Sequence, residues 1–169
     1  MIIIIMGVSG SGKTTIGKLL ADSLDWEFSD ADSFHSAENV EKMRCGIALS
    51  EADRIPWLQD LQTAIKHWLQ ENKNVVLACS ALKDSYRQFL VLDSDRSANI
   101  KDERIKLVYL KGSYELIQIR LQERSNHYMG AKLLNSQFET LEEPLNTISM
   151  DVAQPPQIIV QNIRTALSV

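Results

Sequence analysis

One stretch constrains this chain more than any other: Gly7-Val8-Ser9-Gly10-Ser11-Gly12-Lys13-Thr14 fits G-x-x-x-x-G-K-[ST] and directly follows the β-branched run Ile2–Met6. A strand is expected to end there, a tight loop to follow it and the motif to open a helix, the context in which it cradles phosphate. The glycines let backbone N–H groups turn inward around phosphate oxygens, and the helix N-terminus adds its partial positive charge. In this reading Gly7, Ser9, Gly10, Ser11, Gly12, Lys13, Thr14 and Thr15 hold a nucleoside triphosphate. Lys13 bridges its β and γ phosphates, and the Thr14 hydroxyl ligates Mg²⁺.

The rest of the chain repeats the strand–helix alternation. Val75–Cys79 and Ile105–Leu110 are near-continuous apolar runs of the kind buried on both faces of a parallel sheet. Trp26–Asp30 reads as a short second strand and Thr147–Val152 as a weaker last one. Helical patterns cover Thr14–Leu24, Pro56–Glu71, Ala81–Leu92, Tyr114–Arg124 and Pro156–Leu167. The expected fold is therefore α/β, a three-layer P-loop NTPase fold with a parallel five-stranded sheet flanked by helices. At 169 residues, and without a Gly/Pro/Ser-rich linker or an internal repeat, the chain reads as a single domain over 1–169.

Composition excludes several classes. A net charge of −4 leaves no electrostatic footprint for nucleic acid. The opening "MIIIIMG" has no basic flank and is too short for a secretory signal, and no other apolar run approaches a membrane span. Cys45 and Cys79 lack metal-ligand spacing and read as reduced thiols of a cytoplasmic protein.

Not every P-loop protein is compatible with these residues. There is no D-x-x-G, Asn72-Lys73 lacks the aspartate that reads guanine, and "VVLACS" ends without the usual metal-side acid. The acids placed to supply that role are Asp30 and Asp32, at the carboxyl end of the second strand, where an open parallel sheet faces its ligand crevice. Two residues apart on an extended chain, both carboxylates are expected on one side. One then serves the Mg²⁺ shell and the other takes a proton from an acceptor hydroxyl. The competing reading is an Asp-rich turn, with Asp32 or Ser33 capping a helix.

Taken together, "MGVSGSGKT", "DADSFH", "NVEKMRCGIALSEADRIPWL", "ACSALKDSYRQFL", "RLQERSNHYM" and "LLNSQFETLEEP" resemble the thermoresistant type of the gluconokinase family. That family stands beside shikimate kinase and the nucleoside monophosphate kinases. The resemblance runs from Met6 to Pro144. It implies ATP-dependent phosphorylation of the terminal hydroxyl of D-gluconate, a nucleoside monophosphate kinase-like fold with an acceptor-binding segment about 32–58 and a short lid about 124–137, and a possible homodimer.

Carried over residue by residue, the resemblance makes Asp32 the base that holds the acceptor hydroxyl and puts Asp30 near Mg²⁺. His35 binds the polyol or makes a helix-start hydrogen bond. Arg54 is suited to the acceptor carboxylate through a two-point fork, the alternative being a salt bridge with Asp53 or Glu51. Trp57 is a packing anchor under that loop. Arg87 is a second candidate for the carboxylate, and Lys83 is either a substrate contact or a solvated charge. Arg120 lies over adenine, with Asp151–Pro155 at the edge of that pocket, and Arg124 reaches the transferring phosphoryl group. His127 and Gln137 are lid-side contacts. Four positions depart from the family pattern: Ala31 stands for a glycine, Ala48 for a proline, Glu51 for an aspartate and Tyr128 for a phenylalanine. Ala31 matters only if the backbone there needs positive φ or a close approach to a ligand.

Overall fold

The computed structural model describes residues 1–91, 102–124, 130–145 and 147–169, with the backbone alone described at 124 and 130–132. Five parallel strands form the sheet: β1 (Ile2–Met6), β2 (Glu27–Asp30), β3 (Val75–Ala78), β4 (Ile105–Lys111) and β5 (Ile148–Asp151). Their spatial order is β2-β3-β1-β4-β5. All four pairings are parallel, with Ile2 opposite both Val75 and Ile105. β1 is thus central, and chain leaving it runs to one edge while chain leaving β4 runs to the other. Such a reversal opens a crevice beyond the carboxyl ends of the central strands.

β1 explains the three layers. All five of its side chains are at most 1% exposed, and they alternate between two cores. Ile3 and Ile5 join one apolar cluster with Ile16 and Leu20 of α1 (Lys13–Leu24) and Ile159 and Ile163 of α7 (Pro156–Leu167). Ile2, Ile4 and Met6 join the other, with Leu61 and Ile65 of α3 (Glu51–Gln70) and Leu90 of α4 (Asp84–Val91). Each such side chain removed from water contributes roughly 1.5–3 kcal/mol.

Two helices form where the sequence reading had none, and two begin elsewhere than expected. α2 (Ala37–Arg44) is a short polar helix capped by Ser36, whose Oγ accepts from Asn39 N–H. α6 (Gly130–Thr140) covers most of the expected lid, and it packs on α5 (Tyr114–Arg124) through the edge-on pair Tyr114–Phe138. α3 starts five residues before Pro56, because Ser50 and Asp53 form a reciprocal capping box: Asp53 N–H donates to Ser50 Oγ and Ser50 N–H to Asp53 Oδ2. α4 starts three residues late. Ala81 has φ +41°, which breaks the helix that a run from Ala81 requires. No helix among the described residues is long and apolar enough to cross a membrane.

Candidate functional site

The loop between β1 and α1 is built to meet an anion. Gly12 caps α1 from the left-handed region at φ +96° and offers no side-chain acceptor, so the first N–H groups of the helix are left for a ligand. Gly7 is required by space as well as by its φ of +151°: a Cβ would stand 2.7 Å from Ser11 Oγ and 2.9 Å from the Leu110 carbonyl. Ser11 Oγ is itself buried without a hydrogen-bond partner, an unmet polar atom inside the cradle. Lys13 arches back over the loop and donates from Nζ to the Val8 carbonyl at 3.0 Å. Burial pushes its pKa below the ordinary value, and Asp32, then Cys79 and Asp30, pull it back up. An ammonium under that strain gains most from a phosphate. Thr15 is exposed on the first turn of α1.

The acid pair sits beside this loop by a different route from the one expected. β2 ends at Asp30, and Ala31–Phe34 is a single 3-10 turn, so the two carboxylates do not share the face of an extended strand. Asp30 caps that turn by accepting from Asp32 N–H at 3.1 Å, and its other oxygen accepts from Thr14 Oγ1 at 3.0 Å. A threonine hydroxyl and one carboxylate at the phosphate end fit Mg²⁺, which keeps several waters and leans on substrate phosphates. Among the described residues no group of three His, Cys, Asp or Glu side chains is placed to hold a metal by itself. Ala31 is buried, is not among the positive-φ residues, and gives its carbonyl to Trp57 Nε1 at 2.8 Å. No feature of this turn demands glycine at Ala31, and the alanine methyl joins the core.

Beyond the loop lies a cavity of about 230 Å³ whose lining includes Ser9, Lys13, Asp32, His35, Arg54 and Gln137. Four elements deliver those groups. The His35 ring stacks on Trp57 at 4.7 Å and 11°, with Nδ1 buried and unpartnered. Trp57, 5% exposed, packs in the core and also lines the cavity. Gln137 on α6 takes Ser9 N–H with its Oε1, tying that helix to the phosphate loop. Arg54 N–H reaches the Tyr86 hydroxyl at 3.4 Å and Glu51 Oε1 at 3.8 Å, so it has both the cavity and the ion-pair partner weighed for it.

The remaining residues fall differently. Lys83 is bound to Glu51 and stands outside the cavity wall. Arg87 is also absent from that wall and corrects the expectation of a second carboxylate contact. It is 5% exposed, and its NH1 is spent on the Ala81 and Leu82 carbonyls at 3.0 and 2.9 Å. Arg120 donates to the Val152 carbonyl at 2.6 Å, which brings it to the stretch expected to border adenine. Arg124 closes α5, its side chain lying outside the described atoms, and His127 lies outside the described residues.

The cavity also uses groups that sequence reasoning passed over. Tyr86, Leu133, Ser136 and Thr140 line it. Ser136 and Thr140 share one face of α6 at i and i+4, with Leu133 three residues before Ser136. That periodicity is present in the sequence and signals a helix wall rather than a loop.

Comparison with known proteins agrees with this geometry. The shikimate kinase family model matches residues 9–165. The chain is 47% identical over 152 residues to a probable gluconokinase of Mus musculus, covering 85% of this chain and 83% of that protein. It is 38% identical over 163 residues to the thermoresistant gluconokinase of Escherichia coli K12, covering 94% and 89% respectively. The crystal structure of a gluconokinase from Sinorhizobium meliloti 1021 superposes with a TM-score of 0.81 at 40% identity, over 98% of this chain and 90% of that one.

Proposed function

This chain belongs to the gluconokinase family, and from that membership we propose that it transfers the γ-phosphoryl group of ATP to the terminal hydroxyl of D-gluconate, giving 6-phosphogluconate. The observation that carries the reading is that Lys13 and Ser9 of the phosphate loop share one cavity with Asp32 and Arg54. A phosphate donor and an anionic polyol are thereby offered a common wall.

Each side chain has a task suited to its chemistry. Arg54 receives the acceptor carboxylate through its planar fork. Asp32, exposed to the cavity, orients the acceptor hydroxyl and accepts its proton late in the transfer. Lys13 leaves the Val8 carbonyl for the β and γ phosphates and stabilises charge on the moving group. Thr14 and Asp30 are the residues that would hold Mg²⁺, which would neutralise phosphate charge there. His35 and Gln137 bound the polyol, and Arg120 takes the adenine side. The family resemblance gives Arg124 to the γ-phosphate oxygens, which a cation serves, and His127 to a lid-side contact. The α6 wall, with Gln137 on Ser9, keeps water from taking the acceptor's place. Cys79 is buried, its thiol pushed up to about 12 by that burial, and Cys45 is exposed and unpaired, which supports a reducing compartment such as the cytoplasm.

Measuring ADP release over a panel of gluconate, other aldonates, shikimate and nucleoside monophosphates tests the reading. Turnover is expected with gluconate. Stimulation by shikimate or a monophosphate alone refutes it.

A further inference from the structure

Behind Arg54 stands a row of polar side chains reaching beyond the cavity wall. The Tyr86 hydroxyl lies 2.8 and 2.9 Å from the two Glu51 oxygens, and Lys83 Nζ binds Glu51 Oε1. Arg54 and Tyr86 line the cavity, whereas Glu51 and Lys83 do not. The polarity of the row is fixed by what each group is able to do. An ionised carboxylate only accepts and an ammonium only donates. The single Tyr86 proton therefore goes to Glu51, and the phenol oxygen turns its lone pairs to Arg54. Burial first, and then Glu51, push the Tyr86 pKa up, so the O–H is retained. Charge is arranged to the same end. Arg54 and Lys83 supply two positive charges and Glu51 one negative, so one net positive charge remains for an incoming anion.

We propose that the Glu51–Tyr86 pair is a positioning device for the acceptor carboxylate. It holds one edge of the Arg54 guanidinium from behind and leaves the other donors, which have no hydrogen bond among the described residues, aimed for a two-point fork. The inference rests on the reading of Arg54 given above. Its physical content is preorganisation: an arginine already held has less rotamer freedom to lose when the acceptor arrives. Lys83 is part of the device, because an unopposed Glu51 cancels Arg54 and repels the substrate.

Steady-state kinetics on the full chain at saturating ATP test this with Arg54→Ala, Tyr86→Phe, Glu51→Gln and Glu51→Asp, thermal midpoints being recorded for each. Tyr86→Phe and Glu51→Gln are expected to raise the KM for gluconate about tenfold, with kcat and the KM for ATP within about twofold of the parent. Glu51→Asp, which keeps the carboxylate, is expected to fall between Glu51→Gln and the parent. Tyr86→Phe added to Arg54→Ala is expected to have no further effect, since the device acts only through that arginine. An unchanged KM in Arg54→Ala defeats the reading of Arg54 itself. A raised KM there, with no change in Tyr86→Phe and Glu51→Gln, overturns the positioning role alone. A lowered KM in Glu51→Gln also overturns it, by showing that Glu51 competes with the substrate. Full additivity overturns it by showing that Tyr86 touches the substrate. Glu51 is exposed, so its variants keep the test decisive should Tyr86→Phe fold poorly.

Discussion

The Thr14 hydroxyl donates to the Asp30 carboxylate across 3.0 Å, joining the first turn of α1 to the end of β2. The bond holds together the hydroxyl and the acid that the proposed mechanism gives to Mg²⁺. Removing the acid leaves the hydroxyl unoriented, and outer partners of a metal ligand are commonly worth 10–100-fold in affinity. Asp30→Asn is therefore expected to raise the Mg²⁺ concentration for half-maximal velocity about tenfold or more. Thr14→Ser is expected to stay near the parent, and Thr14→Ala to follow Asp30→Asn. A magnesium titration at fixed ATP reads this directly, and an unmoved midpoint in Asp30→Asn removes that acid from the metal side.

Asp32 and Asp30 are separated by one residue but differ in what they touch. Asp30 is engaged by Thr14 and by Asp32 N–H, while the Asp32 carboxylate faces the cavity. An asparagine at 32 keeps the shape and loses the proton acceptor. Asp32→Asn is expected to lower kcat by about 10²–10⁴-fold. ATP affinity, measured by calorimetry, is expected to stay within a few-fold. An equal loss of both assigns Asp32 to nucleotide binding instead.

Arg87 separates a structural cation from a substrate-binding one. Its NH1 satisfies two carbonyls in the turn where Ala81 is held at φ +41° and Leu82 also accepts from Glu142 N–H. Truncation strands the Ala81 carbonyl, while Leu82 keeps its bond from Glu142 N–H, so Arg87→Ala is expected to lower unfolding stability by about 1–3 kcal/mol. Chemical denaturation measures that loss. The KM for gluconate in the folded fraction is expected to be unchanged, and a raised KM with unaltered stability returns Arg87 to the acceptor site.

The architecture was legible because the signals for it are local. Ile2–Met6 and Val75–Cys79 are apolar throughout, as strands covered on both faces must be, and the phosphate loop announces its own geometry. Helix starts were less legible. Pro56 reads as the first residue of α3, but the Ser50–Asp53 reciprocal cap starts the helix five residues earlier. The helical pattern Ala81–Leu92 puts Lys83 and Arg87, four apart, on one helical face. The left-handed turn at Ala81 delays the helix to Asp84, leaving Lys83 on Glu51 while Arg87 turns inward. Long-range pairings such as Tyr86 with Glu51 have no sequence period and appear only once α3 and α4 are packed together.

The Ser50 cap itself is open to a simple test. Ser50 Oγ satisfies the Asp53 N–H of α3, and Asp53 in turn holds Lys42 of α2 at 2.9 Å. Ser50→Ala is expected to cost about 1 kcal/mol in thermal or denaturant unfolding. No change there means that the first turn of α3 is held by its packing alone.

His35 gives the protein a pH dependence with a definite sign. Its ring is stacked on Trp57 with Nδ1 buried and unpartnered, and burial is the largest influence lowering its pKa below the ordinary 6.5. Asp32 opposes that shift and Arg54 adds to it. The folded protein therefore resists a proton that the unfolded chain accepts. As pH falls through 6.5 the unfolded state gains the proton first, so stability declines, and the decline levels off below the folded pKa, where both states are charged. His35→Phe keeps a flat ring against Trp57 and cannot titrate. Thermal midpoints measured from about pH 8 to about pH 5 are expected to fall more steeply for the parent than for this variant. Parallel curves for the two proteins show that His35 takes its proton as readily when folded as when unfolded, and that its burial carries no electrostatic cost.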